Sequence, residues 1–186
     1  MNNNLKNFFF TILFGSVACL LLGMLAYGPA IYNIHNPRCV IMIYGISGSL
    51  LYSVDKYFGI RERVYAFLLV IIIMIITQGK THYPVVYIRN IISCMPIQLA
   101  IIYYSIFNKK YPNLPLFARG AALVVIYPIL YTSTMICWVF FRTILISSTL
   151  VQLLYFNMRF TIITSVGMVL GFDLYDKLRY KILAMF

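Results

Sequence analysis

The chain has 186 residues, 62% of them hydrophobic and 10% charged, against about 45–50% apolar and about 25% charged in an ordinary soluble domain. Fifteen Lys and Arg with four Asp and Glu are too few to clothe a water-soluble particle, which excludes a soluble enzyme, a disordered linker and a collagen-like fibre. What remains is a chain that takes the bilayer as its solvent. The net charge of +11 then becomes a question of where the cations sit.

Residues 8–27 make the first apolar run and contain no charge. At about 1.5 Å per residue this run crosses a hydrocarbon core of about 30 Å. No small-x-small cleavage site follows it, so it predicts a retained helix, not a signal peptide, ending near Gly28-Pro29. The later runs are 39–54, 64–77, 84–107, 116–141 and 143–172. The connections (35–38, 55–63, 80–83, 108–115 and the point at Arg142) are too short for an extramembrane domain, and their Pro37, Gly59, Pro112 and Pro115 are turn chemistry. Residues 1–186 therefore read as a single transmembrane domain: an all-α integral membrane protein, a helical bundle of about six transmembrane helices. Four or five spans are the alternatives, because 39–54 and 64–77 are short. The last run, interrupted once by Arg159, is about 45 Å long as a helix and is expected to be one tilted or kinked span.

With the N-terminus in the cytoplasm, the inner segments hold Lys6, Lys56, Arg61, Arg63, Lys109, Lys110, Lys177, Arg179 and Lys181, and the outer ones hold Arg38, Lys80 and Arg142. Nine cations against three satisfy the positive-inside rule and place the chain in a bacterial inner membrane. Basic residues at helix ends meet lipid headgroups, so +11 reads as anchoring and docking, with no direct nucleic-acid contact. Tyrosines near the run ends, among them Tyr83, Tyr87, Tyr103, Tyr104, Tyr111, Tyr175 and Tyr180, read as an interfacial belt. One internal echo exists: Tyr52-Ser-Val-Asp55-Lys56 resembles Asp173-Leu-Tyr-Asp176-Lys177.

Chemistry is sparse. Gly45-Ile-Ser47-Gly48 matches the GxSG of rhomboid intramembrane proteases, but a serine nucleophile needs a base, and no His follows His82. Gly45, Ser47, Gly48 and Ser49 are better explained as a small helix-packing face through which chains homo-oligomerise. Cys19, Cys39, Cys94 and Cys137 show no metal or redox spacing, and His35 and His82 stand alone, so no catalytic residue, metal site or cofactor is expected. Arg159 is the exception. An intramembrane Arg facing lipid costs about 2.5–3.5 kcal/mol on insertion scales. It shares a helix face with Gln152 and Tyr155, and Asn90 and Gln98 form a matching stripe on the fourth run. Together they are a candidate polar path.

These features predict a non-enzymatic multi-pass membrane protein that acts by assembly. Its cytoplasmic edge of Lys56, Arg61, Arg63, Lys109, Lys110, Lys177, Arg179 and Lys181 is expected to hold membrane lipids and a soluble cytoplasmic partner. In size, topology and Ile/Asn/Tyr-rich composition the chain resembles the small membrane subunits of bacterial anti-phage or exclusion systems of the Kiwa type. That resemblance implies a membrane sensor that docks its partner on the cytoplasmic face. The alternative is a small transporter or channel component: the substrate-binding membrane subunit of an importer, which a six-span chain of this length also resembles, or a pore lined by Arg159.

Overall fold

The computed structural model describes residues 3–28, 37–78, 84–141 and 147–185, with side chains described for all of these except 3, 37–39, 60, 73–78, 84–94, 116–117, 138–141, 147–154, 156 and 157. Six helices follow one another: α1 (Asn3–Tyr27), α2 (Pro37–Tyr57), α3 (Ile60–Gln78), α4 (Pro84–Lys110), α5 (Leu116–Phe141) and α6 (Ser147–Ala184). The described residues contain no strand. The all-helical expectation holds.

The helices outrun the expected boundaries because charge does not end a helix; a backbone conformation does. Asp55 and Lys56, expected in a loop, finish α2, and Arg61 to Arg63 begin α3. The turn between them is Phe58-Gly59 alone. Gly59 adopts φ 117°, and the amides of Phe58 and Gly59 both donate to the Val54 carbonyl, at 2.9 and 3.0 Å. Gly28, at φ 85°, stands in the same way just past α1. A left-handed residue after the last turn is the usual device for closing a helix, and glycine adopts it without a Cβ clash. The basic tail also proves helical, as the last two turns of α6.

The span count changes. Among the described residues, three helices are long and apolar enough to cross a membrane: Asn4–Tyr27, Ala118–Cys137 and Met158–Ala184. The described residues do not support six such helices. In α3 the charges Arg61, Glu62 and Arg63 leave residues 64–78, about 22 Å of helix against a core of about 30 Å. In α2 the length suffices, but Gly45, Ser47, Gly48, Ser49, Ser53, Asp55 and Lys56 dilute its apolar character.

Two faces of α1 show how the sequence sorts itself. Leu5, Phe9, Leu13, Val17, Leu21 and Leu25, each four residues apart, point out of the bundle. Twenty residues at about 1.5 Å make a stripe of about 30 Å, the thickness of the hydrocarbon. The opposite face repeats at the same spacing with Thr11, Gly15, Cys19 and Gly23, all buried. Because apolar residues surround the helix, burial here is decided by side-chain size: the small residues go inward and the large ones face lipid.

The inward face of α1 packs on α6 and α2, its two most extensive neighbours. Gly167 and Gly171 of α6 lie four residues apart, a GxxxG pair, and take α1 almost backbone to backbone. A Cβ added at Gly171 would lie 2.5 Å from the Phe14 carbonyl oxygen and 2.6 Å from Gly15 Cα; one at Gly167 would lie 2.8 Å from Cys19 Cα. Three hydroxyls in this region are satisfied within their own helices, Ser47 donating to the Ile43 carbonyl, Thr164 to Phe160 and Ser165 to Thr161. That is the low-cost arrangement for a Ser or Thr buried away from water. Elsewhere the core is aromatic: Tyr52 stacks on Phe172 at 4.3 Å, and Tyr44, Tyr131 and Phe160 meet edge on or tilted.

Candidate functional site: a charged end with a cationic cleft

All four acids of the chain lie on α2, α3 and α6 at one end of the bundle. The starts of α1, α3 and α5 and the finishes of α2, α4 and α6 meet there. Tyr175 of α6 donates to Asn7 of α1, and the hydroxyls of Thr11 and Tyr57 pair at 3.2 Å. Lys6, Lys56, Arg61, Arg63, Lys109, Lys110, Arg119, Lys177, Arg179 and Lys181 belong to these helix ends.

Contacts divide the expected docking edge into two groups. Arg63 is buried, and its Nη1 donates to Asp55 Oδ1 at 2.9 Å. Their side chains are 7% and 5% exposed. Ser105 donates to the other oxygen of Asp55, and Lys109 Nζ lies 3.7 Å from it. Arg63 is thus an internal structural cation and offers nothing to a partner. Lys56 bridges to Asp176 at 3.0 and 3.3 Å, so the two echoing segments meet and cross-pair. Arg61, Lys109, Lys110, Lys177 and Lys181 are exposed. Lys177 bonds Asp173 one turn back at 2.7 Å with its side chain still 71% exposed. Arg179 donates to Tyr180 at 2.7 Å.

Between these groups the ends of α2, α4, α5 and α6 enclose a cleft of about 380 Å³, lined by Tyr52, Lys56, Ser105, Asn108, Lys109, Arg119, Asp176 and Arg179. Its lining has four cations and one acid. Arg119 was not singled out in the sequence, although a cation one turn inside the start of a spanning helix is a visible signal. The lining residues that face it from α2 and α6 come from distant parts of the chain, and that proximity exists only in the fold.

Of the polar-path residues, the side chains of Arg159, Tyr155 and Gln98 are described. Arg159 is exposed and turns to the far end of α1, where its Nη2 donates to the Ala26 carbonyl at 3.3 Å and its guanidinium sits 4.8 Å from the Tyr27 ring centroid. These contacts place the Arg159 guanidinium beside the last turn of α1, at the end of that helix away from the charged end. It caps an α1 carbonyl that the helix leaves unpaired. Tyr155 is exposed as well, while Gln98 is buried on α4, a helix whose backbone lies closest to α5. The side chains of Asn90 and Gln152 lie outside the described residues, as do those of Cys39 and Cys94 and residues His35, Lys80, His82 and Arg142.

The small face is covered within the chain. A Cβ on Gly45 would lie 2.6 Å from Cys19 Sγ, and one on Gly48 would meet Met168 and Ile97; Ser49 lies against Gly15. Ser47 and Ser49 are buried. This face joins α2 to α1, α4 and α6, and presents no surface to a second copy. The tyrosine belt is also thinner than expected. Tyr103, Tyr111 and Tyr180 are exposed, but Tyr104 and Tyr175 are core residues, and Tyr83 and Tyr87 fall outside the described side chains.

No protein-family model, curated protein or solved structure matches the chain.

Proposed function

We propose that this chain is a non-enzymatic, multi-pass protein of a bacterial inner membrane whose charged end faces the cytoplasm and docks a soluble partner with an acidic surface. The observation that supports this reading most is the cluster of Arg61, Lys109, Lys110, Lys177 and Lys181, exposed together at one end of a bundle that has almost no chain outside its helices. A rim of exposed cations steers an acidic partner and fixes its orientation more than it adds raw affinity. Lipid-facing stripes such as the one on α1 hold the platform in place. In this reading the N-terminus is cytoplasmic, α2, α3 and α4 complete the bundle between the three apolar spans, and the chain forms homo-oligomers through a face other than the Gly45–Ser49 stripe. The role that fits is a sensor subunit of a defence or exclusion system, with the soluble output supplied by the partner.

The test is a charge reversal that avoids structural cations. Arg61, Lys110, Lys177 and Lys181 are changed together to Glu, with Arg63 and Lys56 left in place, and the soluble proteins that co-purify from native membranes are compared with those of the unaltered chain. Loss of a partner bound by the unaltered protein supports docking by the rim. A partner that stays bound after reversal, or no soluble partner in either preparation, contradicts it.

A further inference from the structure

The cleft at the charged end is built for an anion. Lys56, Lys109, Arg119 and Arg179 line it with a single acid, Asp176. Asp176 is already engaged by Lys56 at 3.0 Å, and the acid behind the wall, Asp55, is engaged by Arg63 at 2.9 Å. Counting that pair, five cations face two acids, so three positive charges converge on one cavity without a counter-charge from the chain. Arg119 carries the point furthest. It is half-buried, no acid pairs with it among the described residues, and its Nε is buried without a hydrogen-bond partner there. Leaving a buried donor of a charged group unpaired is costly, and a guanidinium is the side chain whose planar fork suits a phosphate's oxygens. Three uncharged polar residues complete the lining, Tyr52, Ser105 and Asn108, with Tyr52 resting on Phe172 as a rigid aromatic wall.

Size and depth narrow the ligand. About 380 Å³ falls at the small end of the range of about 300–1,000 Å³ typical of small-molecule pockets. It suits a phosphorylated group and not a polymer. The cleft opens at the helix ends: Arg119 lies in the first turn of α5 and Arg179 in the last turns of α6. Basic pockets between membrane helices at this level hold phosphorylated headgroups. We propose that the cleft between α2, α4, α5 and α6 is a binding site for a phosphate-bearing anion, gripped by Arg119 and Arg179 with Lys56 and Lys109 at its rim. The site stands on side chains largely distinct from the exposed rim assigned to partner docking, so it does not depend on that assignment.

The experiment measures binding to the full chain purified in neutral detergent, by native mass spectrometry and titration, in two arms. One arm adds phosphatidylglycerol, phosphatidic acid or, as the zwitterionic control, phosphatidylcholine. The other adds inorganic phosphate or pyrophosphate. The expected result is one phosphate-bearing ligand per chain, with affinity reduced about tenfold or more by Arg119→Gln and by Arg179→Gln. Lys110→Gln and Lys181→Gln, exposed and outside the cleft, are expected to stay within about twofold, because exposed charges contribute little. Arg119→Lys, which keeps the charge but not the fork, is expected to fall between. Binding of the anionic lipids alone identifies a headgroup site, binding in the phosphate arm alone identifies a soluble phosphate compound, and binding in both shows that the phosphate group itself is what is recognised; each supports the proposal. No saturable binding in either arm overturns it, as does equal loss in Lys181→Gln and Arg119→Gln, or phosphatidylcholine binding as tightly as the anionic lipids. Should Arg119→Gln not fold, as judged by its helix content, Arg179→Gln decides. Partner co-purification by the Arg119→Gln protein is followed in parallel, so that loss of the anion and loss of the docking rim are read separately.

Discussion

The α1–α6 seam and the charged end solve opposite problems. Along the seam, Gly15, Cys19, Gly167 and Gly171 bring two backbones together with nothing charged between them. Lipid offers no hydrophobic drive between helices, so cohesion there comes from close van der Waals contact. At the charged end, side chains are long and charged, and cohesion comes from ion pairs graded by depth: Asp55–Arg63 fully inside, Lys56–Asp176 half-way, Lys177–Asp173 at the surface. The seam tolerates no added atoms and relies on no ion pair. The other end accepts changes of shape but depends on every buried charge keeping its partner. The two regions therefore predict different consequences for substitutions of similar size.

The largest effect is expected at Asp55. Asp55→Ala removes the counter-charge of buried Arg63 and the acceptor of Ser105, and stranding a buried charge costs about 3–5 kcal/mol. Thermal unfolding in detergent checks this, and the double variant Asp55→Ala with Arg63→Met should recover a large part of the loss. At the seam, Gly171→Ala sets a methyl against the Phe14 carbonyl and Gly15 Cα, where only backbone movement can relieve it. Overpacking of this kind costs about 1–3 kcal/mol, visible as a lowered unfolding temperature, whereas Gly59→Ala acts through its positive φ and should perturb only the α2–α3 turn. The smallest effects belong to the half-exposed pair. Lys56→Gln opens the bridge to Asp176, and exposed pairs are worth about 0.2–1 kcal/mol, so stability should barely change. High salt should reproduce this effect without affecting Asp55–Arg63, because screening acts on exposed charges.

The same contrast explains what could be read from the sequence. The six helices and the gathering of cations at one end follow from composition and run length, which are properties of contiguous residues. The GxxxG pair at Gly167 and Gly171 is present as a pattern but lies within an apolar run that also holds larger residues; the Gly45–Ser49 stripe is the more conspicuous in sequence, and only the packing reveals its covering by α1, α4 and α6. Arg63 and Arg61 are two residues apart and look alike in sequence, yet one is locked against Asp55 and the other exposed, because a helix turns them to opposite sides. Arg159 reads in sequence as a charge in mid-membrane facing a polar path; in the fold its guanidinium meets the Ala26 carbonyl and the Tyr27 ring of α1, a partnership that local sequence does not show. Pairings separated by 120 residues, such as Lys56 with Asp176, leave no trace in local sequence at all.

The most direct test of the account is which side of the membrane the charged end faces. Single cysteines are placed at Lys110 and Lys181, which are exposed at that end, and at Leu25, which is exposed at the other end of α1. Cys39, Cys94 and Cys137 are changed to Ser, and buried Cys19 is kept. A membrane-impermeant maleimide is then applied to intact cells and to inside-out vesicles. Lys110→Cys and Lys181→Cys are expected to react only in the vesicles, while Leu25→Cys is not labelled from that side. Labelling of Lys110→Cys or Lys181→Cys in intact cells would put the cationic end outside and contradict the cytoplasmic docking platform.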